Sequence, residues 1–354
     1  MAADKIPKSI IYEKGELLFL DQTLLPLKIY YEKQESIEQV YNSIKTLKVR
    51  GAPAIGIAAA FGLAVCSESF AHLPVNRFKE KFFENADYIV SSRPTAVNLS
   101  WAAANLTNIV KKYAGDDCLN LISLLKKEAC RIYEEDKAVC NAIGLYGAGL
   151  IKENCGILTH CNAGALAVSE LGTALAPVYT AMDRGGNFRV YADETRPLLQ
   201  GARLTSWELQ HAGADVTLIC DNMAAFVMSK GLVDMVITGC DRVAANGDTA
   251  NKIGTLGVAI LAEKYNIPFY IACPYSTFDI SASCADDIII EERAAWEVTE
   301  FAGVKTAPDN IKVLNPAFDV TPNELIKGFI TEKGIIEPPF TDSLKRIFAR
   351  EMSI

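Results

Sequence analysis

The sequence predicts an α/β protein with a C-terminal Rossmann-like, mostly parallel sheet and a smaller N-terminal lobe made of a β-meander and helices. Three patterns carry that expectation. After Lys152, apolar runs at 156–160, 188–192, 215–220, 234–239 and 267–272 alternate with helical segments, as repeated strand-helix units do. Between 36 and 147 the apolar residues recur at helical spacing. The first 35 residues alternate apolar and polar positions around turn residues. The boundary is drawn at 147, giving an N-terminal lobe over 1–147 and an α/β domain that carries the chemistry over 148–354.

In chain order, Glu16-Leu17-Leu18-Phe19-Leu20 and Leu27-Lys28-Ile29-Tyr30-Tyr31 supply the meander strands. Ile37, Val40, Tyr41 and Ile44 form one helical stripe, and the segments near 54–70, 76–90, 96–113 and 117–145 repeat that period. Gly144, Gly147 and Gly149 follow a helix rather than a strand and lack the G-x-G-x-x-G spacing. No Walker-type GK[ST] segment is present, so neither NAD nor ATP is supported. In an open parallel sheet, ligands bind beyond the carboxyl ends of the strands. The residues at those ends are Cys161-Asn162, Asp193-Glu194-Thr195, Asp221-Asn222, Cys240-Asp241 and Cys273-Pro274.

Composition narrows the function classes. With 354 residues, 50% of them hydrophobic and 22% charged, the chain can bury a large core. Its formal net charge of -8 argues against a nucleic-acid partner and requires any anionic ligand to be held by locally placed cations. The opening MAADKIPKSI lacks the apolar run of a secretory signal, and Ala52 to Cys66 is too short and too rich in small residues to span a bilayer. A soluble, cytoplasmic protein with no membrane partner is expected. The ten cysteines, spread from Cys66 to Cys284 without a CxxC, read as mostly reduced thiols. His72, His160 and His211 show no metal-ligand spacing, so no metal is implied.

Four segments could carry chemistry. Arg50-Gly51-Ala52-Pro53 precedes an apolar helix, where a helix N-terminus with small residues and an arginine could hold a phosphate. A simple turn with a surface arginine is the other reading. Arg93 lies in a second polar turn before Asn98 and Trp101; two arginines at two turns suggest a clamp, or two surface charges with Asn98 as a cap. His160-Cys161-Asn162-Ala163-Gly164 ends a strand among small residues, which would put the Cys161 sulfur beside free backbone amides that favour thiolate, unless Cys161 is a small buried hydrophobe. From Gly239 to Thr255 the polar density exceeds that of an ordinary loop. There Asp241 is expected to be partly buried and fit for proton transfer, with Asn251 and Lys252 opening the next helix to meet a phosphate or sugar hydroxyl. A long capping loop is the alternative.

Together, Val49 to Gly56, Ser92 to Trp101, Cys161 to Gly164, Glu194 to Gly201 and Asp241 to Thr255 closely resemble the methylthioribose-1-phosphate isomerase family, over nearly the whole chain. That family is akin to ribose-1,5-bisphosphate isomerases and to regulatory subunits of the translation-initiation exchange factor. The resemblance implies a cofactor-free aldose-ketose isomerase that takes 5-methylthioribose 1-phosphate to the ribulose 1-phosphate in methionine salvage, working as a homodimer. It implies that Arg50, Gly51, Ala52, Arg93, Gln200, Asn251 and Lys252 bind this small-molecule sugar phosphate, and that Cys161 and Asp241 are the catalytic pair. Cys240 departs from the family pattern, which carries a smaller, alanine-like residue there. The alternatives are an isomerase of another pentose 1-phosphate, namely ribose 1,5-bisphosphate or 5-deoxyribose 1-phosphate, and a non-catalytic regulatory subunit. A second phosphate would need additional cations, and the motif segments hold no further basic cluster.

Overall fold

The structure is a computed structural model that describes residues 2–94 and 96–351; Thr95 of the Arg93 turn lies outside them. It contains two compact units, one formed by Ile6–Ala138 with Ala165–Gly172, the other by Val139–Gly164 and Thr173 onward with the N-terminal 3-10 turn Ala2–Lys5. The sequence-drawn boundary at 147 falls in the last turn of a helix that spans Cys118–Ala148.

The first unit opens with the antiparallel strands β1 (Ile10–Glu13), β2 (Glu16–Leu20) and β3 (Tyr31–Lys33). Lys14 and Gly15 join β1 to β2 with φ of 52° and 83°, the left-handed pair that a two-residue hairpin requires. The strand expected at Leu27–Tyr31 is displaced toward β3. Amides of Leu27 and Lys28 both bond the Leu24 carbonyl in a turn, leaving Leu27 94% exposed. Four helices follow: α1 (Ile37–Lys45), α2 (Ala52–Cys66), α3 (Val75–Val90) and α4 (Val97–Lys112), before α5 (Cys118–Ala148). A capping box starts α1, with Ser36 accepting from the Gln39 N–H and the Gln39 side chain accepting from the Ser36 N–H. Helix α2 is apolar on every face, and such a helix must lie inside its unit. Ala52–Phe70 is apolar enough to cross a membrane, and 78% of its most apolar window is buried as a core helix. Its glycines allow close neighbours: a Cβ on Gly62 would come 2.6 Å from Val40 Cγ1 of α1, and one on Gly56 would come 2.9 Å from the Asn98 carbonyl of α4.

The second unit holds β4 (Gly156–Thr159), α6 (Ala176–Asp183), β5 (Arg189–Asp193), α7 (Ser206–Ala212), β6 (Asp215–Ile219), α8 (Ala224–Ser229) and β7 (Met235–Thr238). Then come β8 (Arg242–Ala244), β9 (Thr249–Lys252), α9 (Thr255–Lys264), β10 (Phe269–Ala272) and β11 (Phe278–Asp279). The short α10 (Trp296–Thr299), β12 (Glu300–Phe301) and β13 (Val304–Lys305) precede β14 (Phe318–Thr321), β15 (Gly328–Thr331), β16 (Gly334–Ile336) and α11 (Phe340–Glu351). The main sheet has the order β16-β15-β10-β7-β4-β5-β6, parallel except for the β15–β16 hairpin. All five strands read from the sequence belong to it. Strand β4 continues to β5 and β6 on one side, whereas β7, β10 and β15 build outward on the other. The switch in winding direction therefore lies between β4 and β7, where an open α/β sheet forms its ligand crevice. A second sheet, β11-β8-β9-β14, follows the polar segment after β7.

Candidate active site

Cys161 leaves the end of β4 with φ 65°, a left-handed conformation that is unfavourable for a residue with a side chain. Both of its backbone polar groups are held by hydroxyls: its N–H donates to Thr195 Oγ1 at 2.8 Å, and its carbonyl accepts from Thr205 Oγ1 at 2.6 Å. The sequence expectation of free amides around the sulfur is thus corrected for Cys161's own N–H, which is occupied. The next residues have visible reasons to be what they are. Asn162 Nδ2 donates to Thr205 Oγ1 at 3.1 Å and to the Glu208 carboxylate, which also accepts from Tyr179 OH at 3.0 Å. Burial, then the nearby Glu208 charge, pushes the Tyr179 phenol well above its ordinary range. Any Cβ on Gly164 would collide with Glu208.

Beyond β7, Gly239 brings the two chemistry-bearing loops into contact, since a Cβ there would stand 2.6 Å from Ala163 Cβ. Asp241 follows, its N–H donating to the Ala250 carbonyl at 2.9 Å. It is exposed, not partly buried as the sequence suggested, and stands in the junction between β7 and the first strand of the second sheet, β8. Burial and the adjacent Cys273 sulfur push the Cys240 thiol well above its ordinary value.

Asn251 and Lys252 are the end of strand β9, not the start of a helix. They pair with Asp319 and Phe318 of β14, and α9 begins only at Thr255. Asn251 is buried and donates to Thr255 Oγ1 at 2.9 Å; Lys252 Nζ donates to the Ala317 carbonyl at 3.0 Å and lies 4.7 Å from the Phe318 ring centroid. The Asp319 carboxylate accepts the Gly254 N–H at 2.7 Å and the Leu256 N–H at 3.1 Å, capping α9 from a strand 63 residues downstream in the case of Leu256. Gln200 is buried just before the π-helical turn Gly201–Thr205, and its Oε1 has no partner among the described residues. Gly201 is required there, because a Cβ would strike the Asp193 carbonyl.

Sequence reasoning missed His160 and Asp193 as a working pair. His160 Nε2 donates to the Ile253 carbonyl at 2.9 Å, and Nδ1 meets Asp193 Oδ2 at 3.0 Å, with both side chains buried. Burial presses His160 toward its neutral form, but Asp193, the Ile253 carbonyl and the Asp221 charge outweigh it and hold its pKa above the ordinary value. The imidazole joins the end of β4 to Ile253, the residue after Lys252. A Cβ on Gly254 would come 2.8 Å from His160 Cε1, and its φ of 103° favours glycine as well. His160, Asp193 and Asp221 offer ligand atoms within 4.8 Å of one another. Both imidazole nitrogens are engaged, Asp221 accepts the Thr195 and Arg196 N–H groups, each at 2.7 Å, and the buried Asp193 Oδ1 has no hydrogen-bond partner among the described residues.

In the other unit, Gly51 caps α2 with φ 94°, and a Cβ there would collide with the Ala167 carbonyl. Gly51 offers no capping side chain, so the start of α2 carries backbone N–H groups beside Arg50 and Ala52, the feature from which the sequence suggested an anion site. Arg93 lies in the turn before α4, bonding through its backbone to Val90 and Ala96, and α4's first turn abuts α2 where the Asn98 carbonyl meets Gly56. Arg50, Gly51, Ala52 and Arg93 thus belong to adjoining helix starts of one unit, whereas Cys161, Asp241, Gln200, Asn251 and Lys252 belong to the other.

Comparison with known proteins adds four relations. The model of the initiation factor 2 subunit family matches residues 48–338. A 5-deoxyribose 1-phosphate isomerase of Clostridium botulinum (strain Hall) is 52% identical over 337 residues, 95% of this chain and 97% of the relative. Among solved structures, 5-methylthioribose 1-phosphate isomerase from Pyrococcus horikoshii OT3 superposes with TM-score 0.93 at 42% identity, covering 98% of both chains. A structure from A. fulgidus described as translation initiation factor eIF-2B, subunit delta, gives TM-score 0.87 at 43% identity, covering 96% of this chain and 99% of that one.

Proposed function

The chain belongs to the initiation factor 2 subunit family, and within it we propose that it is a pentose 1-phosphate isomerase whose substrate is 5-deoxyribose 1-phosphate. The observation that carries the reading is the placement of a thiol and a carboxylate, Cys161 and Asp241, on touching loops that leave β4 and β7 at the switch point of the sheet. The 52% identical relative favours a 5-deoxy sugar. The 5-methylthio sugar is the second reading, favoured by the Pyrococcus horikoshii structure. Both sugars carry a neutral 5-substituent, which matches the lack of a second basic cluster in the motif segments.

The chemistry follows from the C1 phosphate. Esterified at the anomeric oxygen, the sugar has no free aldehyde, so its ring must open with the phosphate still attached while hydrogen moves from C2 to C1. The net change is internal to the sugar and needs no external oxidant or reductant. Asp241 serves as acid and base at the sugar oxygens, and Cys161 moves the C2 proton or stabilises the intermediate. The unpartnered Gln200 Oε1 is a buried acceptor of the kind a sugar hydroxyl satisfies. Within the first unit Arg50, the α2 amides and Arg93 are the cations and dipoles of the kind an acidic protein must place locally to bind a phosphate, and Lys252 is the substrate-binding cation proposed in the second unit. We assign the working protein to the cytoplasm as a homodimer.

The test is incubation of the purified chain with 5-deoxyribose 1-phosphate, methylthioribose 1-phosphate and ribose 1,5-bisphosphate, with the ketose followed by NMR. The first is expected to give the highest kcat/KM and the bisphosphate the lowest, with rates unchanged by a chelator or added nucleotide. Preference for the methylthio sugar would select the second reading. No turnover of any of the three would return the chain to the regulatory-subunit alternative.

Arg93→Ala and Lys252→Ala are each expected to lower kcat/KM by about 10- to 100-fold, since a hydrogen bond to a charged group contributes roughly 1.5–3 kcal/mol. Turnover should fall as well as binding, because phosphate binding energy positions the reacting carbons. Steady-state kinetics on variants with unchanged melting curves provide the check; wild-type values would mark both residues as surface charges.

A further inference from the structure

The backbone of Cys161 is left-handed at φ 65°, and two buried threonines meet it. Thr195 and Thr205 come from different places, the residues after β5 and the end of the π-helical turn before α7. Their hydroxyl directions are fixed by their partners. Thr195 Oγ1 accepts the Cys161 N–H, so its own proton goes to the Asp193 carbonyl at 3.1 Å. Thr205 Oγ1 accepts from Asn162 Nδ2, so its proton goes to the Cys161 carbonyl. Each hydroxyl is used once as donor and once as acceptor, leaving neither free to turn away.

We propose that Thr205, together with Thr195, is a positioning residue that holds Cys161 in its left-handed conformation and so sets where the thiol points; this rests on the catalytic reading of Cys161 given above. A left-handed residue with a Cβ persists only where its surroundings over-determine it. Here both peptide groups flanking the Cys161 Cα are fixed, and only the side chain remains to be directed. The π-helical turn contributes to this placement. Closing wider than an α-turn, it shifts the register of the following helix so that Thr205 and Glu208 both reach the Cys161-Asn162 segment. Thr195 is itself left-handed at φ 64° and is anchored through its N–H to Asp221.

Thr205→Val keeps the shape and removes the hydroxyl; Thr205→Ser keeps the hydroxyl and removes the methyl. The valine variant is expected to lose roughly 10- to 100-fold in kcat with KM changed less than about 2-fold, the pattern of a displaced reacting group rather than lost substrate binding. The serine variant should stay within about 3-fold of wild type. Wild-type kcat in Thr205→Val, or equal losses in the valine and serine variants, would overturn the clamp. A second arm needs no substrate. The crystal structure of Thr195→Val/Thr205→Val, or of Thr205→Val should the double variant not fold, is expected to show residue 161 released to a negative φ. A positive φ with the thiol in place would overturn the proposal. Should the wild-type chain isomerise no pentose 1-phosphate, the functional reading falls while this φ measurement still decides the clamp.

Discussion

Cys161→Ser and Asp241→Asn are each expected to lower kcat by about 10²–10⁴-fold, the span that proton transfer by a positioned group contributes. The two substitutions remove different things. Serine keeps nearly the same volume and tolerates the same backbone ties to Thr195 and Thr205, but it lacks a thiol. Asparagine keeps hydrogen bonding at 241 but cannot exchange a proton. Since Asp241 is exposed and its backbone is paired to Ala250, neither change removes buried packing, and both variants should fold and bind substrate. The measurements are kcat, substrate binding by calorimetry, and deuterium incorporation at C1 of the ketose in heavy water. Where a base moves the hydrogen, Cys161→Ser suppresses exchange in step with turnover. Near-wild-type turnover in either folded variant would remove that residue from the mechanism.

The five sheet strands were legible in the sequence because each is a short run rich in apolar residues and closed by polar ones; β4, β5, β7 and β10 are largely buried, whereas β6 is a mostly exposed edge strand. The same logic gave all five strand ends, and strand order, which only the structure shows, sets the loops after β4 and β7 at the switch point. It failed where partners are distant. Thr249-Ala250-Asn251-Lys252 has no helical or strand period of its own, and its conformation is decided by pairing with Phe318–Thr321. Asp319 gives no local sign that it caps α9. The partners that hold Cys161 lie 34 and 44 residues away, and Glu208 is 46 residues from Asn162. Leu27–Tyr31 shows the opposite error: alternation suggested a strand, but the turn after Leu24 takes the amides that a strand would have used. The glycines of the motifs were visible as residues, but their reasons appear only against the groups they meet: Glu208 for Gly164, Ala163 for Gly239, His160 for Gly254.

Removing the His160 imidazole is expected to produce the largest loss of stability of any change near the site. Asp193 is fully buried, its Oδ1 has no partner among the described residues, and its Oδ2 meets His160 Nδ1. His160→Ala leaves that carboxylate with its principal partner gone and the Ile253 carbonyl without its donor, and breaking a buried pair in this way costs about 3–5 kcal/mol. Asp193→Asn should cost less, because an amide N–H can still donate to Nδ1 while Nε2 keeps its bond to Ile253. The pH dependence has a definite sign. His160 binds its proton more tightly folded than unfolded, where its pKa is about 6.5, so its contribution is fully present below that pH and is lost as pH rises through the folded-state value. Urea midpoints of the wild type should therefore decline above neutral pH relative to those of Asp193→Asn, which lacks both the buried carboxylate and the charge that raises the His160 pKa. The loosened Ile253 should also displace Lys252 and raise KM for the sugar phosphate. Equal pH slopes in the two proteins, or a loss below about 1 kcal/mol, would show that the pair is held by its surroundings and not by its proton.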